Sequence, residues 1–446
     1  MEFLTGSGRA RWAGGWAGVA AAALAVSVSA APTPTQLAVP GRSNATPSIT
    51  SDGAVVAIAW GASTPAGATD VYAAVSTDGG RTFGSAVRVN DVDGDARLNG
   101  EQPPRVVVHQ SAVTVIWTAK SVSGTRLVQA RSDNGGKSFA KAISLPGGDA
   151  AGNRGWQNAA ADRSGRVYAV WLDHRELASQ DGAVAASHHD HAASPQGSGP
   201  ATSASKPDGV AMAQRSKLYL GSADGAIAPR AITGGVCYCC KTALATSADG
   251  GVFAAWRHVY PGNIRDIAFT ASRDGGETFS PPLRVSEDQW VLEGCPDDGP
   301  AMAVDAKQRI HIVWPTLITE AAAGQAANAE KSQTIALFYA MSVDGRTFTP
   351  RRRIPTEGMP HHPQVTIGAD GALTVAWDEG ANGKRRATIA QTTIDAAAAG
   401  GFTRTVLADA AVYPVITATA DGTVAAWTSA PGAASVIRVE RIAPHR

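Results

Sequence analysis

Seven segments of this chain repeat one plan: a strand starter, a short apolar run, a tight turn often spelled Asp-Gly, and an alternating run ending mostly in Ala-Trp or Val-Trp. They are Pro47 to Trp60, Pro104 to Trp117, Asn158 to Trp171, Lys241 to Trp256, Pro300 to Trp314, Pro363 to Trp377 and Pro414 to Trp427. Asp-Gly between alternating apolar runs is a strong hairpin signal, so each segment reads as two antiparallel strands. A unit recurring every ~50 to 60 residues cannot bury its own apolar face and must stack on its neighbours. The expected fold is therefore all-β, a β-propeller of four-stranded blades, with seven blades favoured and six as the alternative. The seventh repeat ends after a third strand at Ser435 to Arg441, and Thr35 to Val39 is placed to supply the fourth by pairing the two termini.

A second hairpin follows most of the first ones, with a more specific turn. The copies are Ser76-Thr77-Asp78-Gly79-Gly80-Arg81-Thr82-Phe83, Ser132-Asp133-Asn134-Gly135-Gly136-Lys137-Ser138-Phe139, Ser272-Arg273-Asp274-Gly275-Gly276-Glu277-Thr278-Phe279 and Ser342-Val343-Asp344-Gly345-Arg346-Thr347-Phe348. Ser and Asp oxygens accept turn N–H groups, Gly supplies positive φ, and Phe returns to the sheet. Ser222-Ala223-Asp224-Gly225 reads as a relaxed copy, and Ile394 to Phe402 as a further one. These turns resemble the Asp-box, or bacterial neuraminidase repeat, and nearly the whole chain after its leader resembles a sialidase-type propeller. The resemblance implies Asp-boxes on the face away from the active site. It speaks strongly for fold and weakly for activity.

Residues 1–30 read as a secretory leader: Arg9 and Arg11 precede an apolar run from Trp16 to Val28, and Val28-Ser29-Ala30 offers small residues before Ala31. The run is shorter than the ~20 residues a spanning helix needs. Residues 31–446 are then a single propeller domain, periplasmic or secreted, interrupted by a Ser/Ala/His-rich insertion at about 178–207. Within it His188-His189-Asp190-His191 could gather a metal ion weakly. A net charge of +1 and the lack of a basic stripe set nucleic-acid binding aside.

Blade geometry places the chemistry. Connections from an outer strand to the next inner strand share one face with those between the second and third strands. Taken in register, the former read Gln102-Pro103-Pro104, Gly155-Trp156-Gln157-Asn158, Cys237-Tyr238-Cys239-Cys240, Gly294-Cys295-Pro296-Asp297-Asp298, Met359-Pro360-His361-His362 and Tyr413-Pro414. All four cysteines and a His pair thus fall at one equivalent place on three consecutive blades. Disulfide geometry demands Cα atoms about 4.4–6.8 Å apart, so Cys237, Cys239 and Cys240 cannot all be ordinary staples. A structural disulfide involving Cys295 remains open, because four cysteines allow three pairings and export permits them.

The other reading is a soft-metal site. Cys237, Cys239, Cys240 and Cys295 would be thiolate ligands, His361 and His362 nitrogen donors and Met359 a thioether, with Met302 nearby. Copper, as Cu(I), is favoured over zinc because of the thioethers and because Cys-x-Cys-Cys differs from paired zinc knuckles. Disulfide and metal site are also possible as two redox states of the same sulfurs. Arg257, His258, Arg265 and His174 are candidates for binding an anion or supporting the ligands, and Asp378-Glu379 has the same two options beside that of a solvated rim. The expected function is metal binding, delivery or redox chemistry, with an envelope metal-transport or metal-acceptor protein as partner.

The resemblance implies a different function, an exo-sialidase with a Tyr nucleophile, a Glu that activates it, an Asp acid/base and three Arg on the substrate carboxylate. Arg257, Arg265, Tyr260 and Glu293 are the nominees here. The family's Arg-Ile-Pro motif is absent from the first blade, which reads Ala38-Val39-Pro40-Gly41-Arg42, and Arg353-Ile354-Pro355 falls on an outer strand. A propeller that only docks a protein or a glycan is the third class.

Overall fold

Each tryptophan-ending segment folds as the two inner strands of a four-stranded antiparallel sheet, and seven such sheets form the ring of a β-propeller. This is a computed structural model, described for residues 34–178, 209–292, 296, 298–321, 331–381, 383–432 and 434–443. The expected leader (1–30), nearly all of the expected 178–207 insertion, Glu293 and Cys295 lie outside the described residues.

Blades 1 to 3 begin at inner strands Ser43–Asp52, Arg105–His109 and Arg154–Ala161. Blades 4 to 6 begin at Ala243–Thr246, Ala301–Val304 and Met359–Ile367. Blade 7 contains Ala411–Thr419, Gly422–Ser429 and Val436–Ile442, and its outer strand is the N-terminal Thr35–Leu37, with Thr35 opposite Val439 and Leu37 opposite Ile437. The expected ring closure is thus the observed one.

Blade stacking follows from strand alternation, which sends every second side chain to a neighbouring blade. Trp60, Trp117, Trp171, Trp256, Trp314, Trp377 and Trp427 are all fully buried. Seven apolar clusters result, each shared by two adjacent blades; the one joining blades 7 and 1 contains Leu37, Ile58, Trp60, Val424 and Val439. The Ser-x-Asp turns close as expected. Ser76 Oγ accepts from Gly80 N (2.9 Å), Asp78 Oδ1 accepts from Thr82 N (2.9 Å), and Ser272 and Asp274 repeat the arrangement. Gly79 N donates to Ala54 O, which puts these turns on the same face as the turns between first and second strands.

One expectation fails. Ile394 to Phe402 is not a relaxed Ser-x-Asp turn but contains the helix Ile394–Ala399. Its four alanines favour helix, Thr393 Oγ1 caps the start by accepting from Ala396 N, and Gly400 ends it with φ 84°.

The inner strands share a local device. Register shifts at Ala45/Ser48, Gly155/Asn158, His361/Gln364 and Val412/Val415 accompany left-handed backbone at Thr46, Trp156, His362 and Tyr413. Bulges of this kind re-aim a side chain, and these four lie where inner strands start, at the mouth of the central channel.

Ring closure should depend on the terminal strand. Leu37→Ala is expected to lower the unfolding free energy by about 2–3 kcal/mol. Val406→Ala on the outer strand of blade 6 should change it by less than about 0.5 kcal/mol; urea denaturation of both variants checks this.

Candidate metal and thiol centre

The face opposite the Ser-x-Asp turns carries Cys237, Cys239 and Cys240. The connection into blade 4 is pinned on several sides. Cys237 N donates to Arg257 O (2.9 Å), Lys241 N to Glu101 Oε2 (2.8 Å), and Thr242 Oγ1 to Trp156 O (2.8 Å). Cys237, Cys239 and Cys240 are all buried, within the apolar cluster between blades 3 and 4. Gly299 makes the fit possible: a Cβ there would lie 1.9 Å from the Lys241 carbonyl oxygen.

The three sulfurs differ in state. Cys239 is disulfide-bonded, whereas Cys237 and Cys240 are free thiols with Sγ atoms 2.9 Å apart. Cys239 Sγ lies 3.9 Å from Cys237 Sγ. Burial works against a Cys237 thiolate, but the Cys240 S–H and then the guanidiniums of Arg265 and Arg257 outweigh it and bring Cys237 down to about 7. Burial, then hydrogen bonding with Cys237 and its charge, push Cys240 far up. The pair therefore passes from two protons to one as pH rises through about 7, the retained proton staying on Cys240, 2.9 Å from Cys237 Sγ.

Arg265 Nη1 donates to Cys237 Sγ (3.4 Å) and its Nε to Leu292 O (3.2 Å). Arg257 donates to three backbone carbonyls, those of Asp298, Arg265 and Pro315, at 2.8–3.0 Å, and stacks on Trp290. Both are walls of the thiol pocket. His258 packs edge-on to Tyr260, and burial followed by the charge of Arg284 pushes it down to about 4. His174 is buried against Trp156. Met302 is partly buried in the cluster between blades 4 and 5, and Met359 is exposed.

The His pair gathers elsewhere than at the sulfurs. His361 Nδ1 donates to Asp298 Oδ2 (2.5 Å), and Asp298 Oδ1 accepts from the His362 backbone N–H (2.8 Å). His362 Nδ1 donates to Asp378 Oδ1 (2.7 Å), and Asp378 is also paired with Arg385. Glu101, from the connection into blade 2, completes the group, its Oε1 3.9 Å from His362 Nε2. Burial, only partly offset by Lys241, lifts Glu101 to about 7. Burial works against a charged His362, but Asp378, Asp298 and Glu101 together raise its pKa. Below this rim a cavity of about 130 Å³ runs among the inner strands, lined by Arg105, Lys241, Met302 and Gln364 among others.

Sequence reading missed Glu101 as a member of the site, and left Asp378 open between supporting the ligands, binding an anion and lining the rim. The signal for Glu101 was its register: it immediately precedes Gln102, at the same place in its blade as the cysteines and the His pair.

No family model matches the chain, and no curated protein matches it. Among solved structures it is similar to an ulvan lyase bound to a -[GlcA(1-4)Rha3S]- saccharide, with 9% identity and a TM-score of 0.54 over 92% of this chain and 96% of that one. It is also similar to Penicillium chrysogenum α-L-arabinanase (12% identity, TM-score 0.45, 92% and 99% covered) and to Trypanosoma rangeli sialidase (14%, 0.41, 79% and 54%). What is shared is the propeller fold.

Thiolate formation should follow the guanidinium. The ultraviolet thiolate absorbance is expected to grow as pH rises through about 7. In Arg265→Gln the midpoint should move up by roughly one unit, because the charged form loses a cation, while Arg265→Lys should hold it nearer the parent value.

Proposed function

We propose that this chain is an exported propeller that binds copper as Cu(I) between Cys237 and Cys240, for storage, delivery or a redox step in the envelope. The observation that carries the reading is a buried pair of free thiols 2.9 Å apart, walled by two guanidiniums. Soft thiolates select Cu(I). Two thiolates with one monovalent ion leave a net charge of −1, which Arg257 and Arg265 balance at short range. Zinc would usually ask for four ligands. Reduction of the Cys239 disulfide would add a third sulfur within 4.8 Å of the other two, so the sulfur count at the site varies with redox state. A metal acceptor in the same compartment is the expected partner.

The Ser-x-Asp turns support placing the chain beside Asp-box propellers, and the fold is one on which glycan-active enzymes are built. A sialidase-like hydrolase is the weaker reading. Arg257 and Arg265, its nominated carboxylate clamps, direct donors to four backbone carbonyls and a sulfur.

Protein exported in its native host and purified without chelators is expected to carry near-stoichiometric copper. A chromophoric Cu(I) chelator should report a loss of affinity of at least ~100-fold in Cys237→Ser/Cys240→Ser. Wild-type protein that takes up no Cu(I) under reducing conditions would sink the proposal, and sialoside hydrolysis by that copper-free protein would favour the hydrolase.

A further inference from the structure

We propose a second metal centre, distinct from the thiol pair, in which Glu101, Asp298 and His362 hold a divalent first-row ion, zinc foremost, across the mouth of the channel. Three blades supply the donors. Glu101 arrives from the connection into blade 2, Asp298 from that into blade 5, and His362 from the bulge that opens the inner strand of blade 6. One carboxylate oxygen of each acid and a ring nitrogen of His362 lie within 4.8 Å of one another. Donors bound to one zinc ion at about 2.0–2.2 Å stand roughly 3–3.5 Å apart, so closing on an ion takes a contraction of about 1 Å.

Two observations beyond the clustering point to a ligand. The first is Glu101 Oε1: it is buried, faces His362 Nε2 at 3.9 Å, and has no hydrogen-bond partner among the described residues. A buried carboxylate oxygen left unpartnered is costly, and a cation placed in that gap removes the cost. Lys241 does not fill the role directly, since its Nζ donates to the Pro363 carbonyl (2.9 Å).

The second is the layer behind the donors. His362 gives its Nδ1 proton to Asp378, which leaves Nε2 as the coordinating nitrogen, and Arg385 holds Asp378 in turn. His361 does the same for Asp298 through Oδ2. Carboxylate–histidine–metal chains of this kind fix ring orientation and raise ligand basicity. Gly100 leaves room: a Cβ there would stand 2.9 Å from His362 Nε2. One imidazole with two carboxylates suits zinc or manganese and not the soft ion proposed for the sulfurs.

The test uses the full mature chain in a Cys237→Ser/Cys240→Ser background, so its outcome does not depend on the copper reading. Equilibrium dialysis against Zn²⁺ and Mn²⁺, read by elemental analysis, should find one ion per chain. Glu101→Gln and His362→Ala should each weaken binding at least ~100-fold, and Asp378→Asn, a positioning change, by ~10–100-fold. Glu101→Gln is nearly isosteric and removes a buried charge, so without metal its melting temperature should equal or exceed the parent's. Zn²⁺ should raise the parent's melting temperature and leave that of Glu101→Gln unchanged. A thiol-free protein that retains neither ion, or retains it equally with Gln at 101 and Ala at 362, overturns the assignment.

Discussion

The constraint on which the rest depends is that no blade can bury its own faces. Each sheet is apolar on both sides, and the buried tryptophan at the end of each blade's second strand lies in the cluster shared with the preceding blade, Trp60 of blade 1 with blade 7. A large aromatic surface, about 150–250 Å² per tryptophan, is removed from water seven times over. An open stack would leave two such faces wet, and the ring removes both. Hence the terminal Thr35–Leu37 strand matters beyond its three residues: it completes the sheet whose cluster joins blades 7 and 1.

Closing the ring brings seven inner strands together at a narrow axis, and there the geometry selects the chemistry. The bulges at Thr46, His362 and Tyr413 gather these residues around one small pocket with Gly100 and Lys241, whereas Trp156, at the equivalent bulge, packs into the cluster between blades 3 and 4. Proline follows at positions 47, 363 and 414, which steers the preceding residue away from right-handed helix and helps hold the bulge. Residues far apart in the chain, such as Glu101 and His362, become neighbours because each occupies the same station in its own blade.

That logic also marks what the sequence made legible. Blade number, ring closure and the positions of Cys237, Cys239, Cys240 and the His pair in their blades all follow from a repeat with a fixed register, since a position recognised in one blade transfers to the next. Ile394 to Phe402 escaped because its turn residues were weighed and its alanine run was not; helix propensity and the Thr393 and Gly400 caps decided the outcome. The split of the site into sulfur and carboxylate groups was illegible for another reason. Register places a residue at the mouth, but which side chains meet there depends on bulges, on Asp298 accepting from both histidines, and on which sulfur is oxidised. Glu101 was overlooked because a Glu before Gln-Pro-Pro looks like any solvated loop acid until the ring buries it.

The two groups are neighbours, yet their charge balance keeps them chemically apart. On the sulfur side the fixed charges nearest the ligands are cationic, Arg257 and Arg265, which favours an anionic complex such as a dithiolate around a monovalent ion. On the other side Asp298, Asp378 and Glu101 press on His362, with Lys241 and Arg385 as counter-charges, which favours an added divalent cation. Lys241 is the hinge between them: its chain neighbour is Cys240, and its own N–H holds Glu101. A change in oxidation state at the sulfurs that moved residues 237–241 would therefore move a donor of the other group. Soft and hard donors this close would normally compete for one ion, and opposite fixed fields would let each of the two proposed sites keep its own.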